Sequence, residues 1–389
     1  MTGNEPSVDI VIAARNEEAK IADCLDSLAR QDYPREKFRV IVVDSASTDS
    51  TAGIVERYSV DLIRQSKSGA ARARNRGIAA GKGELVGFLD AHCILNREWI
   101  SAMASVFTDK RFGGCQGYTE LFATDKRVAS HIVRSRMHEH DHLLESTLRG
   151  DLNIYPWVLS GNCMFSRSAI EQAGGFDESL PACEDVDISW RIVLAGYLLG
   201  YAPAAKVMHW NSDPWDVHAR KSYEQGRGAA VLARRYLALG AENVFQPVCT
   251  DDDGDSAEIA NGYEQGYRTE EARIAAGDVT VNAVSTTIAD PDVARSFEWH
   301  EGQRLSLSPD TVYWFPDERT SVIVHNPTRS RIVLEGTADT IWRSLTAGNT
   351  RDEIAASLAQ SYSVTRDTTT ADCNEFIDEL VNSSILSRD

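Results

Sequence analysis

Four apolar runs, each ending in a polar turn, fill the first ninety residues and dictate what the chain can fold into. Val8-Asp9-Ile10-Val11-Ile12-Ala13 reads as a buried strand, and Glu17 to Arg30 then places Ile21, Leu25 and Leu28 on one helical face. Arg39 to Asp44 is a second strand, followed by Ser45-Ala46-Ser47-Thr48-Asp49 and a helix through Ile54-Val55. Val60 to Arg64 gives a third strand and Ala70 to Ala80 a helix, before Glu84-Leu85-Val86-Gly87-Phe88-Leu89 runs into Asp90. This alternation predicts an α/β fold, a parallel sheet with helices on both faces. Ligands of such sheets lie at the carboxyl ends of the strands. Arg15, Asp44 and Asp90 fall at three such ends and converge on one pocket.

A formal charge of −18 argues against a nucleic-acid partner, because phosphate backbones demand excess Lys and Arg. The seven cysteines are scattered without a C-x-x-C pair, which suits free thiols in a reducing cytosol. No apolar run reaches the roughly 18 residues of a membrane span, and Met1 to Pro6 lacks the pattern of a signal peptide. The expectation is a soluble, cytoplasmic protein with no integral membrane segment.

The 389 residues suggest more than one domain, with boundaries at 1–240, 241–311 and 312–389. From Ala241 to Asp310 there are fifteen acidic and four basic residues, the texture of an acidic linker or partly helical connector. The tail alternates like a hairpin, Thr320 to His325 and Arg331 to Leu334, around Asn326-Pro327-Thr328. Helical periods follow over Thr337 to Leu345, Thr350 to Ser361 and Thr368 to Leu386, with Asp352-Glu353 in the first turn of the middle one. No internal repeat is apparent.

Five motifs stand in order in the first domain: Ile12-Ala13-Ala14-Arg15-Asn16-Glu17, Val43-Asp44-Ser45-Ala46-Ser47-Thr48-Asp49, Ala73-Arg74-Asn75-Arg76-Gly77, Leu89-Asp90-Ala91-His92 and Glu184-Asp185-Val186-Asp187. Together they make residues 7 to 235 resemble glycosyltransferase family 2, the inverting enzymes of GT-A fold, Rossmann-like and nucleotide-sugar-binding. The resemblance implies nucleoside contacts from Ala13, Arg15, Glu17 and Asp44. Read from the residues alone, Asp44 either accepts from a base or ribose or caps the turn at Ser47, and Arg15 either reaches the donor or pairs with Glu17 or Glu18. Arg64, Lys67, Arg72, Arg74, Arg76 and Lys82 form a local basic stretch for a diphosphate, with Arg74 and Asn75 the preferred two.

Where the family usually has D-x-D, this chain has Asp90-Ala91-His92. With His209, placed where family members often supply a late histidine, Asp90 and His92 would hold a cation, Mn2+ in preference to Mg2+ because imidazole is present; alternatively His92 only hydrogen-bonds phosphate. Ala91 and Gly161, in Ser160-Gly161-Asn162, would approach the donor. By resemblance Asp185 is the base for the acceptor and Glu184 orients it. Trp157 and Trp210 are candidate sugar platforms or core residues. Arg227, in Tyr223-Glu224-Gln225-Gly226-Arg227-Gly228, either closes over the donor or sits at the surface. His138 and His142 have a zinc-compatible spacing, though a solvated helix fits them better.

Gly336-Thr337-Ala338-Asp339-Thr340-Ile341-Trp342, Asn349 to Ile354 and a closing helix with Phe376, Leu380 and Ile385 make residues 312 to 387 resemble a PqqD-type domain. These are small winged-helix-like α+β modules that recognise leader segments of ribosomally made peptides. The combination implies an inverting, metal-dependent hexosyltransferase. It would move a sugar from a nucleotide-sugar donor, UDP-linked, to Ser, Thr or Cys of a precursor peptide whose leader binds the tail. The alternatives are a polysaccharide or glycolipid glycosyltransferase with a protein-interaction tail, and a non-catalytic scaffold.

Overall fold

The structure is a computed structural model and describes residues 5–110, 112–129, 157–195, 197–211, 213–236, 254–282, 296–300, 302–308, 311–317, 320–325 and 330–388. The chain divides into two compact units. The first takes the described residues up to Ala233 and those of 254–281; the second takes 234–236 and those from Asn282 onward.

In the first unit, β1 (Val8–Ala14), β2 (Phe38–Ser45), β3 (Asp61–Gln65) and β4 (Leu85–Asp90) run parallel in the order β3-β2-β1-β4. Their apolar runs are nearly continuous because both faces are covered. Ile10, Ile12, Val40, Val42, Leu85 and Leu89 enter one core with Ile21, Leu25 and Leu28 of α1 (Ile21–Ala29). The helices α2 (Thr51–Val55) and α3 (Ala70–Ala80) complete the crossovers expected from the sequence. The expected α/β alternation of parallel strands and helices is present.

Beyond β4 the sheet changes direction. β7 (Asn162–Ser166) pairs antiparallel with β4, then β6 (Phe112–Ala123) with β7, while β8 (Leu198–Asn211) runs parallel to β6 and pairs with β5 (Cys93–Leu95). The helices on this side are α4 (Trp99–Val106), α5 (Arg167–Ala173) and α6 (Glu184–Leu194). The parallel pairing of β1 with β4 sets their carboxyl ends side by side, with Ala13 opposite Asp90, at the switch point of the strand order.

Two long helices follow, α7 (Trp215–Arg235) and α8 (Gly254–Ala275). Both carry Tyr-Glu-Gln-Gly, at 223–226 and 263–266, a short repeat against the expectation of none. The two copies pack on each other reciprocally. A Cβ on Gly226 would lie 2.0 Å from the Tyr263 carbonyl oxygen, and one on Gly266 would lie 2.0 Å from that of Tyr223. Backbone-to-backbone approach this close requires glycine on both helices.

In the second unit, β9 (Ser296–His300), β10 (Gln303–Leu307) and β14 (Leu386–Arg388) form one sheet, and β11 (Thr311–Asp317), β12 (Thr320–His325) and β13 (Ser330–Glu335) another. Three helices complete it: α9 (Gly336–Thr346), α10 (Arg351–Tyr362) and α11 (Arg366–Asn382). The expected hairpin is β12–β13; its bend lies outside the described residues. Buried Asp339 accepts from Arg343 at 2.9 Å and from the Ser321 hydroxyl, fixing α9 to β12. The last helix stops at Asn382, short of the expected Leu386, because Leu386 pairs with Leu307 as strand.

The stretch 241–311 is thus divided between the units. α8 belongs to the first, whereas Phe297, Trp299, Leu305 and Leu307 are core residues of the second. The acidic composition hid those strands: their alternating apolar side chains are few and separated by charged neighbours.

Gly226→Ala and Gly266→Ala should each lower stability by about 1–3 kcal/mol through overpacking, read as a lower Tm and faster proteolysis within 254–275. Gly262→Ala, whose Cβ would sit 3.4 Å from the Ala219 oxygen, is the tolerated comparison. Equal melting of all three would contradict the close crossing.

Candidate active site

The loops after β1 and β2 are laced together. Asn16 accepts the Thr48 N–H at 2.8 Å and donates its own N–H to Ser47 Oγ at 3.0 Å, while the Glu17 N–H donates to Thr51 Oγ1 at 2.7 Å. Asn16, Ala46 and Cys183 have φ of 56°, 59° and 63°. Three left-handed non-glycine residues in loops around one region are backbone strain of the kind that gathers at functional sites.

A cleft of about 460 Å³ opens at these strand ends, lined by Ala13, Glu17, Asp90, Ala91, His92, Gly161, Asp185 and His209 among others. This size suits a small-molecule ligand. A second hollow of about 920 Å³ shares Asp90, Leu159, Asp185, Lys221 and Gln225 with it and adds Arg15, Arg72 and Glu184. Gly161 is needed where it stands: a Cβ there would lie 2.6 Å from Asp90 Oδ2.

Asp90, His92 and His209 present ligand atoms all within 4.8 Å of one another. His209 Nε2 is 3.2 Å from Asp90 Oδ2 and 3.2 Å from His92 Nε2, and His92 Nδ1 is 3.0 Å from Glu17 Oε1. β4 supplies Asp90, the turn after it His92, and β8 His209, brought near by the pairing of β5 with β8. Burial opposes the charge on Asp90, but the hydrogen bond from His209 and the charges of His92, His209 and Arg74 outweigh it and hold the carboxyl well below its usual range. One carboxylate and two imidazoles, facing each other without an intervening side chain, fit a divalent ion that accepts nitrogen.

Glu184 and Asp185 open α6. Asp185 Oδ1 accepts the Val186 N–H at 2.9 Å, and Oδ2 accepts the Ser160 N–H at 3.3 Å. Burial, followed by the neighbouring Glu184 charge, pushes the Asp185 carboxyl up to about 6; Arg74 and the two backbone donors oppose this. Such a carboxyl is a competent proton acceptor near neutral pH.

Several residues expected at the donor do other work. Arg74 is buried, with its guanidinium 2.5 Å from Glu184 Oε1 and 3.8 Å from Asp90 Oδ1, so it links the cation triad to the acidic pair and does not line the cleft. Asn75 bonds both backbone groups of Phe176, donating at 2.8 Å and accepting at 2.9 Å, and pins that loop. Asp44 is buried at the end of β2 and accepts the Ser47 N–H at 3.3 Å, the turn-capping alternative; it too is absent from the cleft lining. Arg227 pairs with Glu270 at 2.8 Å and Glu224 at 2.9 Å, anchoring α8.

The face of α7 that does line the cleft carries His218, Lys221, Ser222 and Gln225. Their i, i+3, i+4, i+7 spacing puts them on one side of the helix, and Arg227, two residues beyond Gln225, lies about 200° further round. Trp210 lines the cleft, yet Phe122 stacks on it at 5.5 Å and the Lys20 ammonium lies 4.5 Å from its centroid. Its rings are thus engaged, and it is no open platform for a sugar. Trp157 is not among the lining residues. His138 to His142 lie outside the described residues.

Residues 9–174 match the model of glycosyl transferase family 2, and residues 321–386 match that of coenzyme PQQ synthesis protein D, PqqD. Glycosyltransferase AglE of Haloferax volcanii is 26% identical over 59% of this chain and 74% of its own length. A pre-mycofactocin glycosyltransferase of Mycobacterium tuberculosis is 30% identical over 58% of this chain, which spans about half (48%) of that relative. Among solved structures, the mannosyltransferase PcManGT of Pyrobaculum calidifontis, in complex with GDP-Man and Mn2+, aligns over 74% of this chain and 78% of its own, with TM-score 0.46 and 21% identity. The chain thus carries a glycosyl transferase family 2 domain over residues 9–174 and a PqqD domain over residues 321–386.

Proposed function

We propose that the first unit performs an inverting, cation-dependent transfer of a sugar from a nucleotide sugar, UDP-linked, to a Ser, Thr or Cys side chain of a ribosomally made precursor peptide whose leader binds the second unit. The observation that carries this reading is that Asp90, His92, His209 and Asp185 line one cleft. Asp90, His92 and His209 would hold the ion, Mn2+ before Mg2+, which when bound supplies Lewis-acid stabilisation of the departing diphosphate. Asp185 takes the proton of the acceptor hydroxyl or thiol as its oxygen or sulfur forms the bond to the anomeric carbon. The bond from that carbon to the diphosphate breaks, and the anomeric configuration inverts. Glu184, held by Arg74, keeps a second negative charge beside Asp185 and raises its proton affinity.

The peptide acceptor rests on the second unit. In the β11-β12-β13 sheet the outer strands β11 and β13 each have a single hydrogen-bonded neighbour among the described residues. Adding a peptide strand to such an edge is a recurrent recognition mode, and tethering raises the local concentration of the rest of the peptide.

Asp185→Asn should reduce transfer by about 10²–10⁴-fold with donor affinity, read calorimetrically, nearly unchanged. In the wild type, kcat/KM should fall as pH drops through about 6, because the base acts in its ionised form. Turnover retained in the variant would remove Asp185 from this role. His92→Asp converts the triad to one imidazole and two carboxylates and should shift the preference from Mn2+ toward Mg2+; an unaltered ratio in metal titrations would place His92 outside the ion's ligands. A chain ending at residue 281, which leaves no β9–β10 remnant exposed, should lose binding of a precursor leader encoded beside this gene while still hydrolysing donor slowly. Undiminished leader binding by fluorescence anisotropy would move the peptide site to the first unit.

A further inference from the structure

We propose that Glu17 is a positioning residue for the cation site, holding the Nδ1–H of His92 so that the bare Nε2 of that ring faces His209 and Asp90. The inference deepens the cation reading above and rests on it. An ionised carboxylate only accepts hydrogen bonds, so the 3.0 Å contact between Glu17 Oε1 and His92 Nδ1 assigns the ring proton to Nδ1. In the neutral ring, the form that can ligate an ion, Nε2 is then the lone-pair nitrogen, and it is the atom 3.2 Å from His209 Nε2. A carboxylate behind a ligating imidazole fixes its tautomer and ring orientation and raises its basicity.

The contact is built to be stiff. The Glu17 N–H is held by Thr51 Oγ1 at 2.7 Å, and Thr51 donates in turn to Asp49 Oδ1 at 2.5 Å. The Glu17 carbonyl accepts the N–H of Lys20 and Ile21 at 3.0 and 2.9 Å, at the start of α1. Glu17 is therefore pinned on both sides of its Cα, and its carboxylate is delivered to His92 from a loop fixed by β2. Among the described residues the other imidazole has no such support: His209 Nδ1 is buried without a hydrogen-bond partner there. Of the two rings, His92 is the one whose direction is set from behind. The chain thus has an outer carboxylate, one residue layer away from the ion, where a D-x-D would place its second carboxylate directly.

The test is Mn2+ binding to the full chain, followed by electron paramagnetic resonance with and without UDP, for the wild type, Glu17→Ala and Glu17→Gln. Glu17→Ala should weaken Mn2+ by about 10–100-fold, whereas Glu17→Gln, whose amide oxygen still accepts from Nδ1–H, should recover most of the loss. In a His92→Gln background, Glu17→Ala should cause no further loss, since the residue acts through His92. UDP affinity measured in chelator should be the same in wild type and Glu17→Ala. Unchanged Mn2+ affinity with weakened UDP binding in chelator would make Glu17 a donor contact alone and overturn the inference. Full additivity with His92→Gln would overturn it as well. A wild-type chain that takes no Mn2+ even with UDP would overturn the cation site itself, a result distinct from equal binding by wild type and variants.

Discussion

A single buried guanidinium joins the halves of this active site. Arg74 stands on α3 with its charge between Asp90, at the end of β4, and Glu184, at the start of α6. A cation so desolvated is tolerated only when carboxylates and ring faces surround it, and Phe176 lies 5.6 Å from the guanidinium on a further side. Removing one partner of such a buried pair typically costs about 3–5 kcal/mol, so the positions of Asp90 and Glu184 are mutually dependent. The small residues of α3, Ala71, Ala73 and Gly77, let that helix sink onto the sheet far enough for Arg74 to reach both.

Two opposite electrostatic outcomes follow from this arrangement. Asp90 meets His209, His92 and Arg74 and is held ionised. Asp185 meets Glu184 and only part of the Arg74 charge, and it is pushed toward neutrality. Two carboxylates in one cleft are thereby driven apart in proton affinity, the pattern expected when one anchors charge and the other moves a proton. As a cation site the Asp90-His92-His209 triad would carry less negative charge and more nitrogen than an all-carboxylate one, and its geometry would depend on what stands behind each ring.

The strand ends were legible because parallel strands covered on both faces are continuous apolar runs, and the polar residue that closes each run must lie at the rim. Asp90, His92, His209 and Asp185 were found in that way and through the family motifs, and they share a cleft. The basic stretch around α3 is less legible. Its charge suggested diphosphate, but composition does not reveal that Arg74 and Asn75 lie on the inner face while Arg72 faces the second hollow. The pairing of Arg227 on α7 is hidden for the same reason, since its partner Glu270 arrives from forty-three residues away.

The sequence by itself determined the alternation of strands and helices, the family, the tail module and the residue types able to hold an ion or take a proton. These are local or periodic properties, written into consecutive side chains. Only the tertiary structure decided which charges meet: that Glu17 backs His92, that Arg74 braces two acids, that one Tyr-Glu-Gln-Gly segment packs on the other. The pairings join positions 75, 110 and 40 residues apart. A contact at such separation depends on the register of the sheet and the rotation of each helix, neither of which any single stretch of chain specifies.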